Sequence, residues 1–223
     1  MPPAPAAFEP GTFAGSDLAC LRGDRLLFRA LGFNLAPGTA LVLTGPNGSG
    51  KSSLLRMLAG LLQPAAGTLS WNGRPVAETA ETQRTRVHYL GHRDAIKPTL
   101  TVGEMVALHG RLRGGSGDVG AALGALGIEG LIDTPGRHLS AGQRRRVALA
   151  RLLVAPAPVW LLDEPTVGLD DAALAAFRAI AAAHRTAGGA IIAATHTDLG
   201  LDAAHRLAPA DFAPDLADLE AVA

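Results

Sequence analysis

A glycine-rich octet, Gly45-Pro46-Asn47-Gly48-Ser49-Gly50-Lys51-Ser52, lies between an apolar run at 40–44 and a stretch at 54–62 with helical apolar spacing. No other feature constrains the fold as tightly. Glycines let backbone N–H groups converge on one point without Cβ obstruction. A strand before and a helix after aim those groups, and the positive helix end, at a phosphate. Lys51 would reach β- and γ-phosphates, the Ser52 hydroxyl would hold Mg²⁺, and Ser53 belongs to the same nucleotide-binding set. A bare glycine turn would lack the flanking strand and helix. The octet therefore predicts an α/β fold with its site at the carboxyl edge of a parallel sheet.

The rest of the chain fits that frame. Its 223 residues suffice for one domain, or one domain with a subdomain. A net charge of +0 argues against a general nucleic-acid or anionic-membrane binder. Lys51 and Lys97 are the two lysines against eighteen arginines. Lys51 stands where an arginine would not supply the same compact point charge. The single cysteine, Cys20, has no partner for an internal disulfide, which fits a reducing compartment and a small buried residue on a strand. The start lacks a basic region followed by an apolar run, and no stretch approaches a membrane span in length, so a soluble, cytoplasmic chain is expected.

Residues 1–16 read as a flexible tail and 207–223 as a second tail. Residues 18–35, with a Gly23-Asp24 turn, suggest antiparallel strands. Residues 68–71 followed by Asn72-Gly73 read as a hairpin, and 87–90 as a strand. From 98 to 155 the texture turns helical. Thr101 with Glu104 and Ser140 with Gln143 form capping boxes for helices toward Leu112 and Val154. Residues 113–120 are glycine-rich and read as a loop, and 121–126 as a short helix. Residues 159–162 and 191–194 read as buried strands, and Asp170 caps a helix ending near Gly188.

Two carboxylates, Asp163 and Glu164, close the apolar run at 159–162. At the carboxyl end of a strand, Asp163 would support Mg²⁺ and Glu164 would orient and polarise an attacking water. An isolated Asp-Glu would be a solvated strand end. Here it follows the glycine octet and the pentad Leu139-Ser140-Ala141-Gly142-Gln143. The pentad caps a helix, and its small residues leave the N–H groups and positive end open to a γ-phosphate. His196, 32 residues after Glu164, ends a buried strand and is expected to touch the γ-phosphate. The run Arg144-Arg145-Arg146 reads as a solvated helix face. His88, His109, His138, His184 and His205 show no defensible metal-ligand spacing.

In this order the motifs resemble the nucleotide-binding subunit of ABC transporters over about residues 17–206. The resemblance implies a P-loop ABC ATPase core with an antiparallel β subdomain and a helical insertion at about 98–155. It implies ATP and Mg²⁺, and a homodimer that closes around two ATPs. Ser140, Ala141, Gly142 and Gln143 of one copy would face the other copy's ATP, with Asp170 at the subunit contact. Glu164, His196 and Lys51 would be catalytic. Integral membrane permease subunits would be the partners, placing the chain on the cytoplasmic face of the bacterial inner membrane as a peripheral subunit. No nucleic-acid partner is implied.

A narrower resemblance, to ATPase subunits of bacterial cytochrome c maturation systems, rests on short stretches: Cys20-Leu21-Arg22-Gly23-Asp24-Arg25-Leu26-Leu27-Phe28, Tyr89-Leu90-Gly91-His92, Ile96-Lys97-Pro98, Leu100-Thr101-Val102 and the pentad continued through Arg146. It implies haem export or haem-chaperone release, with cytochrome c maturation proteins and a haem chaperone as partners. An exporter of a drug, lipid or peptide is the alternative. A soluble ABC ATPase acting on nucleic acid or ribosomes would usually carry two cassettes or a long coiled-coil insertion. Three positions depart from the broad pattern. Arg22 stands where many members place an aromatic ring over adenine, and its guanidinium plane would stack there. His92 stands at a hinge glutamine associated with the metal, where its imidazole would coordinate or hydrogen-bond in that glutamine's place. Ala141 replaces a glycine.

Overall fold

The structure, a computed structural model, describes residues 8–79, 85–115 and 117–214. In chain order the strands are β1 (Phe13–Arg22), β2 (Arg25–Leu35), β3 (Ala40–Leu43), β4 (Ala66–Trp71), β5 (Arg74–Pro75), β6 (Val87–Leu90), β7 (Val159–Asp163), β8 (Ala190–Ala194) and β9 (His205–Leu207). The helices are α1 (Lys51–Leu58), α2 (Val102–Leu112), α3 (Val119–Gly124), α4 (Ala141–Val154) and α5 (Asp171–Thr186). An antiparallel sheet runs β2-β1-β4-β5, and a parallel sheet runs β6-β7-β8-β3-β9. Helices α2, α3 and α4 lie between β6 and β7 in sequence, as the helical texture of 98–155 predicts.

Local chemistry explains the joints. Gly23-Asp24 links β1 to β2, with Arg22 opposite Arg25. Asn72 at φ 49° and Gly73 at φ 77° supply the two left-handed residues of a tight hairpin between β4 and β5. Both capping boxes form. Thr101 N–H donates to Glu104 Oε2 at 2.8 Å, and Ser140 N–H donates to Gln143 Oε1 at 2.8 Å. The reciprocal bonds, from the Glu104 and Gln143 N–H to the Thr101 and Ser140 hydroxyls, are each 3.2 Å. Each cap is worth about 1 kcal/mol.

Strands β7 and β8 are buried at every position, as expected of central strands covered on both faces. Leu161 and Ile192 pack with Leu54, Leu55 and Leu58 of α1 and with Phe13 and Leu31 of the antiparallel sheet. Trp160, Leu162 and Ile191 face the other way, into a cluster with Phe177 and Ile180 of α5 and Val147 of α4. Each such side chain, fully buried, stabilises by about 1.5–3 kcal/mol. Helix α1 therefore lies pinned between the two sheets, with the glycine octet at its start.

Several boundaries differ from the sequence reading. Strand β1 begins at Phe13, inside the stretch read as a tail, because Phe13 is fully buried beside Trp71 and Phe33. Helix α1 stops at Leu58 rather than near Leu62, with the Leu61 N–H turning back to Arg56 O at 2.8 Å. Strand β9 was not foreseen, and a 3₁₀ turn at Pro209–Phe212 extends order past the expected end. The remainder of both expected tails, at 1–7 and 215–223, lies outside the described residues.

The core also buries histidines. The His184 ring stacks on Trp160, with centroids 3.8 Å apart. Burial pushes the His184 pKa down to about 4. Burial, followed by the nearby Arg151 and Arg113 cations, pushes His109 down to about 4 as well. Both are neutral in the fold, whereas an unfolded histidine takes up a proton near pH 6.5. Their contribution is thus fully present above about pH 6.5 and is lost as pH falls toward 4. Differential scanning calorimetry should show Tm falling by roughly 5 °C or more between pH 7 and pH 5. A His184→Gln variant should show a shallower slope, and a flat wild-type profile would contradict the assignment.

Candidate functional site

Sheet register brings the motifs together. Leu43 of β3 and Asp163 of β7 both pair with Ala194 of β8. The octet, the two carboxylates and His196 therefore leave the same level of three adjacent strands, which are about 4.8 Å apart. On the far side of β7, Leu90 pairs with Leu162, so Gly91 and His92 emerge beside Asp163. This is the carboxyl edge, where α/β sheets place ligands.

In the octet, Gly45, Gly48 and Gly50 adopt φ 115°, 81° and 99°. A Cβ on Gly50 would come 3.0 Å from Phe28 Cδ1, so the start of β2 packs directly against the loop. Arg22 is exposed at the tip of the same hairpin. The Leu54 N–H begins the i→i−4 ladder at Gly50 O, which leaves the N–H groups of Lys51, Ser52 and Ser53 ahead of it. The buried Lys51 ammonium donates to Gly45 O at 2.5 Å and Pro46 O at 3.0 Å, folding over the loop. The Ser52 side chain is exposed. Ser53 is turned inward and hydrogen-bonds the Cys20 thiol, so toward a ligand it offers its backbone. Convergent N–H donors and one ammonium form a donor set for an anion such as a polyphosphate.

Asp163 is buried at the end of β7. Glu164 adopts φ 48°, a left-handed conformation that costs a non-glycine residue about 1–2 kcal/mol. Its N–H donates to Ala194 O at 2.8 Å, tying the residue to the end of β8. His196, largely exposed, places Nε2 3.7 Å from Glu164 Oε1. A carboxylate facing a histidine beside a phosphate-binding loop has the parts to polarise water. No group of three or more His, Cys, Asp or Glu among the described residues forms a metal cage. Mg²⁺ needs none, since it keeps waters and takes one or two protein oxygens plus phosphate. Asp163 and Ser52 fit that demand, and His92 is exposed next to them in the sheet order.

The structure corrects the reading of the arginine run as a solvated face. Arg145 is buried beneath the carboxyl edge of the parallel sheet, and Arg146 pairs with Asp170 at 2.5 Å. Only Arg144 of the three is exposed. Position in the helix carries the signal, because Arg145 shares the inward stripe with Leu149 and Leu152. Asp170 caps α5 through the Ala173 N–H at 2.9 Å, so it holds one local partner and, in Arg146, one from α4. Its carboxyl is held below the usual range, first by that backbone bond and then by Arg146 against a desolvation effect.

Ser140, Gly142, Gln143, Arg146, Gly168 and Asp170 line an open cavity of about 600 Å³, closed on its other side by residues 127–131. None of its lining comes from the octet, so the pentad presents a second polar face apart from the chain's own loop. A Cβ on Gly142 would sit 2.7 Å from Gly168 O. Gly142→Ala should force the pentad away from 168–170. Hydrolysis is expected to fall by about tenfold or more while monomer ATP affinity stays within about twofold, measured by turnover and equilibrium titration. Full activity in Gly142→Ala would remove the pentad from the reaction.

Residues 28–167 match the ABC transporter family. A cytochrome c biogenesis ATP-binding export protein, CcmA, of Rhodospirillum rubrum is 54% identical over 218 residues, covering 96% of this chain and 94% of that protein. The protein of the same name from Paramagnetospirillum magneticum is 51% identical over 207 residues, covering 91% of this chain and 95% of its own length. Among solved structures, an ABC transporter ATP-binding protein of Pyrococcus furiosus shares the fold at TM-score 0.79 and 21% identity, covering 91% of this chain and 100% of that one. A bacterial Atm1-family ABC exporter with ATP bound superposes at TM-score 0.75 and 26% identity, covering 93% of this chain and 38% of the exporter.

Proposed function

Because the chain belongs to the ATP-binding subunits of ABC transporters, and within them to the cytochrome c biogenesis ATP-binding export proteins, we propose that it hydrolyses ATP for a membrane complex that exports haem or releases a haem chaperone in cytochrome c maturation. The level register of β3, β7 and β8 carries the catalytic half of this reading. The haem half rests on the near full-length likeness to the relatives above.

The residues divide the work. The 45–52 backbone and the first N–H groups of α1 cradle the phosphates, and Lys51 swings from its loop carbonyls to the β- and γ-phosphates. Arg22 at the hairpin tip stacks on the base. Bound Mg²⁺ would neutralise phosphate charge, with Ser52 and Asp163 as its protein oxygens and His92 at the hinge beside it. Glu164 orients a water and draws off its proton as oxygen adds to the γ-phosphorus and the bond to the bridging oxygen breaks. His196 holds the γ-phosphate against that water. The pentad of a second copy, offering a capped helix start, closes the site from the other side, with Asp170 at the contact.

No helix among the described residues is long and apolar enough to cross a membrane. Membrane partners therefore supply the translocating element in this reading, and the chain sits on the cytoplasmic face of the inner membrane as a homodimer when ATP is bound. The test is a pull-down of tagged Glu164→Gln from detergent-solubilised native membranes with Mg·ATP, read by mass spectrometry. Recovery of cytochrome c maturation membrane proteins with a haem-bearing chaperone is the expected result. Recovery of a different permease would keep the ATPase and reject the haem assignment.

A further inference from the structure

Arg145 of α4 is 4% exposed, and all five of its N–H donors find oxygen. Nε donates to Pro165 O at 2.9 Å. Nη2 donates to Asp163 O at 2.8 Å and Glu164 O at 2.5 Å. Nη1 donates to Gly91 O at 3.1 Å and Asp94 Oδ1 at 2.7 Å. One planar group thus bridges the backbone of the catalytic turn and the hinge loop leaving β6. Arg151, further along α4, grips the same loop through Asp94 O at 2.8 Å and Ala95 O at 3.1 Å.

We propose that Arg145 is a positioning residue for hydrolysis: it holds the Glu164 backbone in its left-handed conformation and, through Asp94, makes the carboxylate's placement depend on the hinge loop 91–95. Glu164 keeps φ 48° because both its peptide groups are held, the N–H by Ala194 O and the carbonyl by Arg145. A turn fixed at both ends aims its side chain reproducibly. A displacement of 91–95, where His92 is exposed, reaches Glu164 through one rigid fork. Lysine has only three donors around one nitrogen and cannot make the five bonds that a planar fork directs to separate oxygens.

This inference rests on Glu164 being the carboxylate that polarises water. The experiment measures steady-state ATP turnover by the full-length chain in four variants. Glu164→Gln comes first and should lose turnover. Arg145→Lys should then lower kcat by about tenfold or more and Asp94→Asn by about threefold to fivefold, with KM for ATP within about twofold of wild type. The double variant Arg145→Lys with Glu164→Gln should lose no more than Glu164→Gln alone, because Arg145 acts through that residue. An unchanged kcat in Asp94→Asn overturns the proposal even if Arg145→Lys fails to fold. So does a KM rise matching the kcat fall, or losses that multiply in the double variant. Normal turnover in Glu164→Gln overturns the catalytic reading itself and is seen before any Arg145 variant is measured.

Discussion

Glu164→Gln should abolish steady-state hydrolysis almost completely, by about 10²- to 10³-fold, while leaving ATP binding intact. Glutamine keeps the side chain's shape but has no basic oxygen to accept a proton from water. The bonds that hold the backbone of residue 164, from its N–H to Ala194 O and from the Arg145 guanidinium to its carbonyl, involve no side-chain atom of residue 164 and survive the change. The variant should therefore fold, bind Mg·ATP and accumulate as an ATP-bound dimer, since closure no longer ends in hydrolysis. Size-exclusion chromatography with light scattering, run with and without Mg·ATP, reads the dimer, and phosphate release reads the chemistry. Wild-type turnover in a clean Glu164→Gln sample would move catalysis to another group, with His196, 3.7 Å away, the first to examine.

Lys51→Ala should remove ATP binding itself. Charge-assisted hydrogen bonds contribute roughly 1.5–3 kcal/mol each, and Lys51 is the buried cation of the loop. Losing two such bonds to phosphate predicts a loss in affinity of about 100-fold or more. In the structure the ammonium also closes the octet through Gly45 O and Pro46 O, so the variant loop should be looser as well. The readout is thermal: Mg·ATP should raise the wild-type Tm and leave that of Lys51→Ala unmoved. An equal ATP-dependent rise in both proteins would refute the assignment of Lys51 to the phosphates.

The two variants separate the halves of the site. Lys51→Ala should fail before the proposed dimerisation, and Glu164→Gln after it. Gly142→Ala probes the step between, because its added Cβ meets Gly168 O rather than the loop or the carboxylates.

Much of this site was legible in the sequence because its parts are local. The octet's conformation depends on its own glycines and on Lys51 opening α1. The caps at Thr101, Ser140 and Asp170 are bonds spanning three residues. Strand β6 and the end of α4 fell where apolar runs met turn residues or proline. Failures clustered where a residue's fate depends on partners distant in sequence. Arg145 reads as one of three like charges; its helical position turns it inward, and its contacts 18–54 residues away make it a fork. Strand β9 has three residues with an exposed-exposed-intermediate burial pattern, and it exists because Leu41–Leu43 offer an open edge. Phe13 falls inside the stretch that reads as a tail, and only Trp71 and Phe33, distant in sequence, enclose it.

The sequence by itself determined the loop, the caps, the alternation of strand and helix, and the chemical types needed to hold a nucleoside triphosphate. These follow from backbone sterics and from hydrogen bonds between near neighbours, which any chain with those residues would make. The tertiary structure decided that Leu43, Asp163 and Ala194 lie level, that His196 meets Glu164, and that a buried guanidinium joins the hinge to the catalytic turn. Those facts depend on parallel-strand register and on burial, which arise only when segments about 20 to 150 residues apart pack into one core.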